Sequence, residues 1–266
     1  MLLRNVFGKY LRDNLRALVG WMVAVAAVTL LYSSFWPSMA DSAGAMEEFM
    51  DTMPSGLGEA MGWQDMTSAE GYLNATVFAL LMPILMIVAA IIIGTRAIAG
   101  DEEDGSLELV LAHPVSRVQV LVQRFAGVVV FVAALGLAAF LTLAVFAPVL
   151  DIDIGVGYLF AATSMTALAA LCYGSLALAV GAITGRRGTA LAAGALFAVI
   201  GYLGNTFAMQ VEELEWLRFL SAFYYALDPD PLANGFDAGF TAILLIVPVA
   251  LLAVAAGTFT RRDVSV

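Results

Sequence analysis

Six stretches of about twenty or more mostly apolar residues, at 17–36, 72–95, 125–148, 158–183, 189–209 and 238–259, contain no Asp, Glu, Lys or Arg. A helix needs about 20 such residues to cross a hydrocarbon core, and only helices or closed barrels can carry backbone amides through one. The Leu, Ala and Val runs are continuous rather than alternating with period two, which argues against a barrel. Hydrophobic residues make up 62% of the 266, against roughly 45–50% in soluble domains. The expected fold is an all-α integral membrane protein with six transmembrane helices, built as one domain over 1–266. External loops are expected at 37–71 and 210–237.

The first run follows several basic residues, and Ser38-Met39-Ala40 could pass for a cleavage site. Its length exceeds the roughly 7–15 residues of a signal-peptide core. Trp21, Tyr32, Phe35 and Trp36 suit it to anchoring at the membrane interface, so it reads as a retained span.

Orientation follows from the twelve basic residues. Arg4, Lys9, Arg12 and Arg16 precede span one, Arg96 and Arg117 lie between spans two and three, and Arg124 opens span three. Arg186 and Arg187 lie between spans four and five, and Arg261 and Arg262 follow span six. Only Arg218 falls on the other side. The positive-inside tendency then makes both termini cytoplasmic. The acidic residues gather outside, seven of them between Asp41 and Glu70, so the net charge of −10 solvates external loops and does not suit nucleic acid.

Several chemistries lack their residues. A phosphate-cradling loop ends in Gly-Lys-Ser/Thr, but the only lysine is Lys9, followed by Tyr10. His113 is the only histidine and lies in a loop, so an intramembrane Ser-His pair or a His-rich metal site has no ligands in the spans. Cys172 is the single cysteine, which leaves no disulfide framework. Spans without carboxylates speak against an ion-coupled carrier, which usually keeps ionisable groups at mid-membrane. Asn74 and Asn205 are the amides placed to hydrogen-bond between helices.

Residues 1–16 form an amphipathic helix suited to lying on the inner membrane surface, with Leu3, Val6, Phe7, Tyr10 and Leu11 on one stripe and Arg12 among the residues off it. The fourth span is small on every face, from Ala161 to Gly181, which permits close helix contact in lipid. The connections at 149–157 and 184–188 are short enough to make spans three to five antiparallel neighbours.

The loop 96–117, RAIAGDEEDGSLELVLAHPVSR, carries the most information. Asp104 or Ser106 can cap a helix over 106–113, with the carboxylates favoured by the positive end of its dipole. Leu107, Val110 and Leu111 form its apolar stripe, and His113-Pro114 ends it. Ser116 then caps a second helix on which Val118, Leu121, Val122 and Phe125 recur at helical spacing. A short amphipathic helix held between two spans suits docking into a groove of a soluble partner.

This segment resembles the one that follows the second span in permease subunits of ABC-2 type ATP-binding-cassette transporters. The matching positions are Glu102, Glu103, Gly105, Leu107, Glu108, Leu109, Pro114, Ser116 and Arg117. The likeness extends to the N-terminal helix, the six spans and FYYALDPDPLANG before the last one; four consecutive acids, where two are common, are a departure.

The resemblance implies a permease that pairs with a second permease subunit, as homodimer or heterodimer, and borrows a separate cytoplasmic ATPase. ATP and Mg would be bound by that partner, with no cofactor and no catalytic residue in this chain. Coupling would run through Glu102, Glu103, Gly105, Leu107, Glu108, Val110, Leu111, Pro114, Ser116 and Arg117, with Phe7, Tyr10 and Arg12 contributing from the interfacial helix. The implied location is a prokaryotic plasma membrane. An ion-gradient-driven carrier and a non-transporting membrane scaffold or sensor are the competing readings.

Overall fold

The computed structural model describes residues 6–42, 44, 68–208 and 212–262, and most of the loop expected at 37–71 therefore lies outside the described residues, as does Leu3 of the N-terminal stripe. Within them the fold is helical with no strand, and six helical segments are long and apolar enough to cross a membrane. A short helix α1 (Val6–Asp13) leads into α2 (Leu15–Ser33), which continues through α3 (Trp36–Asp41) as the first span. The second span, α4, runs Ala69–Glu103, followed by the short α5 (Ser106–Leu111). Spans three to five are α6 (Arg117–Phe146), α7 (Val156–Thr184) and α8 (Arg187–Ala208). A 3-10 segment (Glu212–Leu220), α9 (Ala222–Leu227) and α10 (Pro231–Asn234) then precede the last span, α11 (Ala238–Phe259).

The fourth span, α7, is the hub. It packs against α4, α6, α8 and α11, and against α9 and α10 at the opposite end. Small side chains make this possible. With no apolar-aqueous contrast between helices inside lipid, association relies on close van der Waals approach. A Cβ on Gly174 would lie 2.9 Å from the Ala90 carbonyl oxygen, and one on Gly94 would run into the Gly174 carbonyl, so α4 and α7 meet backbone to backbone. Gly136 of α6 faces Ala167 in the same way, its Cβ position only 2.8 Å from that of Ala167.

The outer spans are held more loosely. Only 17% of the apolar window of α2, 22% of α8 and 17% of α11 is buried, against 78% of α7. Leu196, Phe197 and Val199 of α8, and Ile246 and Val249 of α11, stand exposed. Pro248 sits inside α11 and removes a link of its hydrogen-bond ladder.

Two π-helical stretches interrupt α4, at Asn74–Leu81 and Arg96–Gly100. Its 35 residues at 1.5 Å each give about 50 Å, far beyond a hydrocarbon core of about 30 Å. The helix does not stop at Arg96, as the apolar pattern suggests, but carries on through Asp101–Glu103.

At that same end lie α1, the α7–α8 turn and the foot of α11, where most of the basic residues collect; it is called the basic end below. At the opposite end Trp36 donates to the Asp151 carbonyl at 3.3 Å, and Asn74 donates to Asp230 at 2.8 Å. Asn74 thus ties a span to a loop instead of to a helix. No such bond forms from Asn205 among the described residues. In the segment before α11, Ala222, Phe223, Tyr224 and Ala226 are buried, and Pro231 starts α10.

The backbone contact of α4 with α7 gives a direct test. Gly94→Ala forces a methyl group into the Gly174 carbonyl and should cost about 3 kcal/mol, the upper end for overpacking. Gly257→Ala, whose Cβ would meet nothing within 4 Å, should be neutral or slightly stabilising. Thermal midpoints in mild detergent that fall equally for both would refute the close crossing.

Candidate functional site

The second π stretch brings helical carbonyls within reach of outside donors, a feature π turns share with functional sites. The Tyr10 hydroxyl, buried, donates to the Ile93 carbonyl at 2.6 Å. Arg124, only 3% exposed, donates to the Ala97 carbonyl at 2.8 Å and pairs with Asp101. Its guanidinium lies 5.6 Å from the Tyr10 ring centroid. Burial, opposed by the Arg124 charge, raises the Tyr10 pKa above its ordinary value, so the phenol stays protonated and keeps donating. Tyr10 also fills the space left by Gly127 of α6, where any side chain would collide with its ring.

This corrects the orientation expected for the N-terminal helix. Val6 and Tyr10 face the bundle, not lipid, and the Phe7 amide donates to Gln123 at 3.0 Å. Arg12 stays exposed, and Lys9 pairs with Asp13 on the surface at 2.6 Å. Of the stripe, Val6 and Tyr10 cover protein, while Phe7 and Leu11 are half-buried.

Three of the four carboxylates have destinations different from those expected. None caps α5, whose N-cap is Gly105 at φ +69°, a left-handed conformation that favours glycine. Ser106 instead donates its hydroxyl to the Asp101 carbonyl at 3.2 Å. Asp101 neutralises Arg124. Glu102, its side chain 3% exposed, pairs with Arg262 beyond α11. Glu103 accepts the Arg187 amide at 2.8 Å and so caps α8. The helix-dipole argument holds, but for the start of α8 instead of α5.

Beyond α5, Ser116 caps α6 by accepting the Gln119 amide at 3.1 Å, as its position in the sequence suggests. Arg117 reaches across to the foot of α11. It donates to the Phe259 carbonyl at 3.2 Å and to the Arg262 carbonyl, with its guanidinium 5.8 Å from the Phe259 ring centroid. Pro114 is exposed, and the His113 ring makes a 2.9 Å contact with the Leu109 carbonyl that closes the end of α5.

On α5 itself, Leu107 and Val110 are buried in the hydrophobic core and Leu111 is partly covered. Glu108, Leu109 and Ala112 face out, Leu109 being 70% exposed. The apolar stripe expected to meet a partner therefore anchors α5 to its own chain. On α6, Val118 and Val122 are exposed and Phe125 only half-buried, while Leu121 shares the buried face with Val120, Arg124 and Val128. A span apolar all round gives periodicity no means of choosing a face.

Arg124, Arg262, Arg187 and Gly185 join this site without having been singled out from sequence except as charge markers or turn residues. Arg124 could have been found: Leu121, Arg124, Val128 and Phe131 follow at steps of three and four, placing the arginine on an apolar stripe. Gly185, at φ +66°, ends α7 directly under the Glu102–Arg262 pair, its Cβ position 2.7 Å from Glu102 Oε1. Among the described residues no group of three or more His, Cys, Asp or Glu is placed to hold a metal ion.

Arg124→Ala would take the counter-charge from Asp101, whose side chain is 31% exposed, and the donor from the Ala97 carbonyl, at a cost of about 1–3 kcal/mol. Arg124→Lys should recover only part, because an ammonium has no planar fork to hold a carbonyl and a carboxylate together. Chemical denaturation followed by tryptophan fluorescence measures both, and an alanine variant as stable as its parent would contradict the geometry.

Comparison with known proteins agrees with this architecture. A search among curated proteins returns no match. The family model of the ABC-2 family transporter proteins matches residues 4–264, almost the entire chain. With six apolar helices and a helical fold, the protein belongs to the ABC-2 transporter family and is a membrane component of an ABC transporter.

Proposed function

We propose that this chain is the permease of an ATP-driven exporter and is worked by a separate cytoplasmic ATPase through the outward face of α5. The observation that carries this reading is the two-sidedness of α5. Leu107 and Val110 root it in the bundle, while Glu108, Leu109 and Ala112 present an acidic-apolar ridge at the tip of a span that overshoots the membrane. An exposed leucine beside a charge has the make-up of a docking contact, the apolar group supplying buried area and the charge fixing register.

In this reading the basic end is cytoplasmic, both termini included, and the membrane is the plasma membrane of a prokaryote. The partner binds ATP and Mg. Two permease subunits, identical or not, enclose the path, and the loosely packed spans α2, α8 and α11 are those with apolar surface left for lipid or a second subunit.

The reading is tested by co-purifying the chain with the ATPase whose gene adjoins its own and measuring hydrolysis in lipid nanodiscs. Leu109→Glu should abolish assembly while leaving thermal stability unchanged, since its side chain touches little of its own chain. Leu107→Ala should instead lower stability by about 2–4 kcal/mol through the cavity it leaves. Unaltered assembly and turnover with Leu109→Glu would remove α5 as the contact.

A further inference from the structure

The residues flanking α5 on both sides, Glu102 and Arg117, grip the foot of the sixth span, and we infer that Arg262 is the positioning residue through which a displacement of α5 is handed on to α11. This rests on α5 being the ATPase contact. Glu102 belongs to the last turn of α4, just before Gly105 and α5, and holds the Arg262 side chain. Arg117 is the first residue of α6, just after α5, and holds the Phe259 and Arg262 carbonyls. The residues flanking this short helix on both sides therefore bind the same few residues, Phe259 to Arg262, at the foot of the sixth span, and a displacement of α5 that carries its flanks with it pulls on that foot.

The strength of the two kinds of link decides the route. Glu103 also ties this region to α8, but through one backbone amide and an exposed carboxylate, which water can replace. Glu102 has no such substitute. Its side chain is 3% exposed, and Oε1 is buried with no hydrogen-bond partner, so losing Arg262 would leave the charge without compensation. The pair sits on the turn after α7, the most deeply packed span, where Gly185 leaves room for no side chain. That turn is the fixed bearing, and the pair slides or pivots upon it.

The receiving helix is suited to move. Only 17% of the apolar window of α11 is buried, and below Pro248 Val249 and Val254 are exposed while Ala255 and Phe259 hold the foot to the bundle. Pro248 breaks the ladder between that half and the rest, which supplies a hinge above the foot. A pull at Arg262 therefore swings the segment below Pro248 before it disturbs the α4–α7 crossing, where backbone meets backbone and there is no slack.

The test uses the complete complex with its ATPase in nanodiscs, spin-labelled at Val254→Cys on the foot of α11 and at Val156→Cys, an exposed position on the deeply packed α7; the one native cysteine, Cys172, is buried. Trapping the ATPase with ATP and vanadate should shift the distance between labels in the otherwise unaltered chain. Arg262→Gln should lose the shift while still assembling and hydrolysing ATP, and Arg262→Lys, which keeps the charge, should retain it. Because a lone buried carboxylate can unfold a variant, the double change Glu102→Gln with Arg262→Met removes both charges together, and it too should lose the shift. A shift that persists in the double variant overturns the inference and leaves the ATPase reading standing. A parent chain that assembles with no ATPase overturns both.

Discussion

A guanidinium buried at the end of a membrane span needs a counter-charge, and here two successive residues, Asp101 and Glu102, supply one each to Arg124 and Arg262. The requirement shapes the whole basic end. The second span must continue beyond the bilayer to bring its carboxylates level with the feet of the third and sixth spans. Adjacent residues on a helix point about 100° apart, so the two carboxylates serve opposite sides, Arg124 and α1 on one and Arg262 and the α7–α8 turn on the other. The π stretch just before them sets the rotation, and the carbonyls at Ile93 and Ala97 are taken up by Tyr10 and Arg124. Four segments far apart in sequence are gathered by a few polar contacts.

The rest of the bundle depends on an opposite device, the absence of side chains. α7 carries so many small residues that its neighbours approach to backbone contact, and dispersion over a long, close seam replaces the hydrophobic drive that lipid removes. The cost is that such a seam has no slack, whereas α2, α8 and α11 keep faces that are mostly uncovered. The same division separates polar knots, which can re-form in discrete arrangements, from glycine contacts, which cannot.

The sequence made the spans legible because length and the exclusion of charge are one-dimensional properties. Ser116 as a cap and the stop near His113-Pro114 were also legible, since both act on backbone within a few residues. What the local pattern did not carry was which face of a helix is covered. Of Val118, Leu121, Val122 and Phe125, at helical spacing, Leu121 is buried beside Arg124, while Val118 and Val122 are exposed. In a helix that is apolar all round, lipid and protein are equivalent solvents and the period carries no sign. Asp101 to Asp104 looked like the electrostatic start of α5 because that helix comes next in sequence. Three of the four have partners elsewhere, Asp101 with Arg124, Glu103 with Arg187 and Glu102 with Arg262, at separations of 23, 84 and 160 residues, and local reasoning has no term for them.

The placement of Leu107 and Leu109 shows why this direction matters for a transporter component. Were Leu107 the docking residue, the helix would have to leave its own core to meet a partner, and each engagement would expose apolar surface on the permease. With Leu107 and Val110 fixed inside and Leu109 outside, α5 can be loaded from one face without letting go on the other. Gly105 on one side and Pro114 on the other set it off as a separate short helix of six residues. In the proposed reading, a load on its outer face passes to Leu107 and Val110 in the core and, beyond its two ends, to Glu102 and Arg117 at the foot of the sixth span.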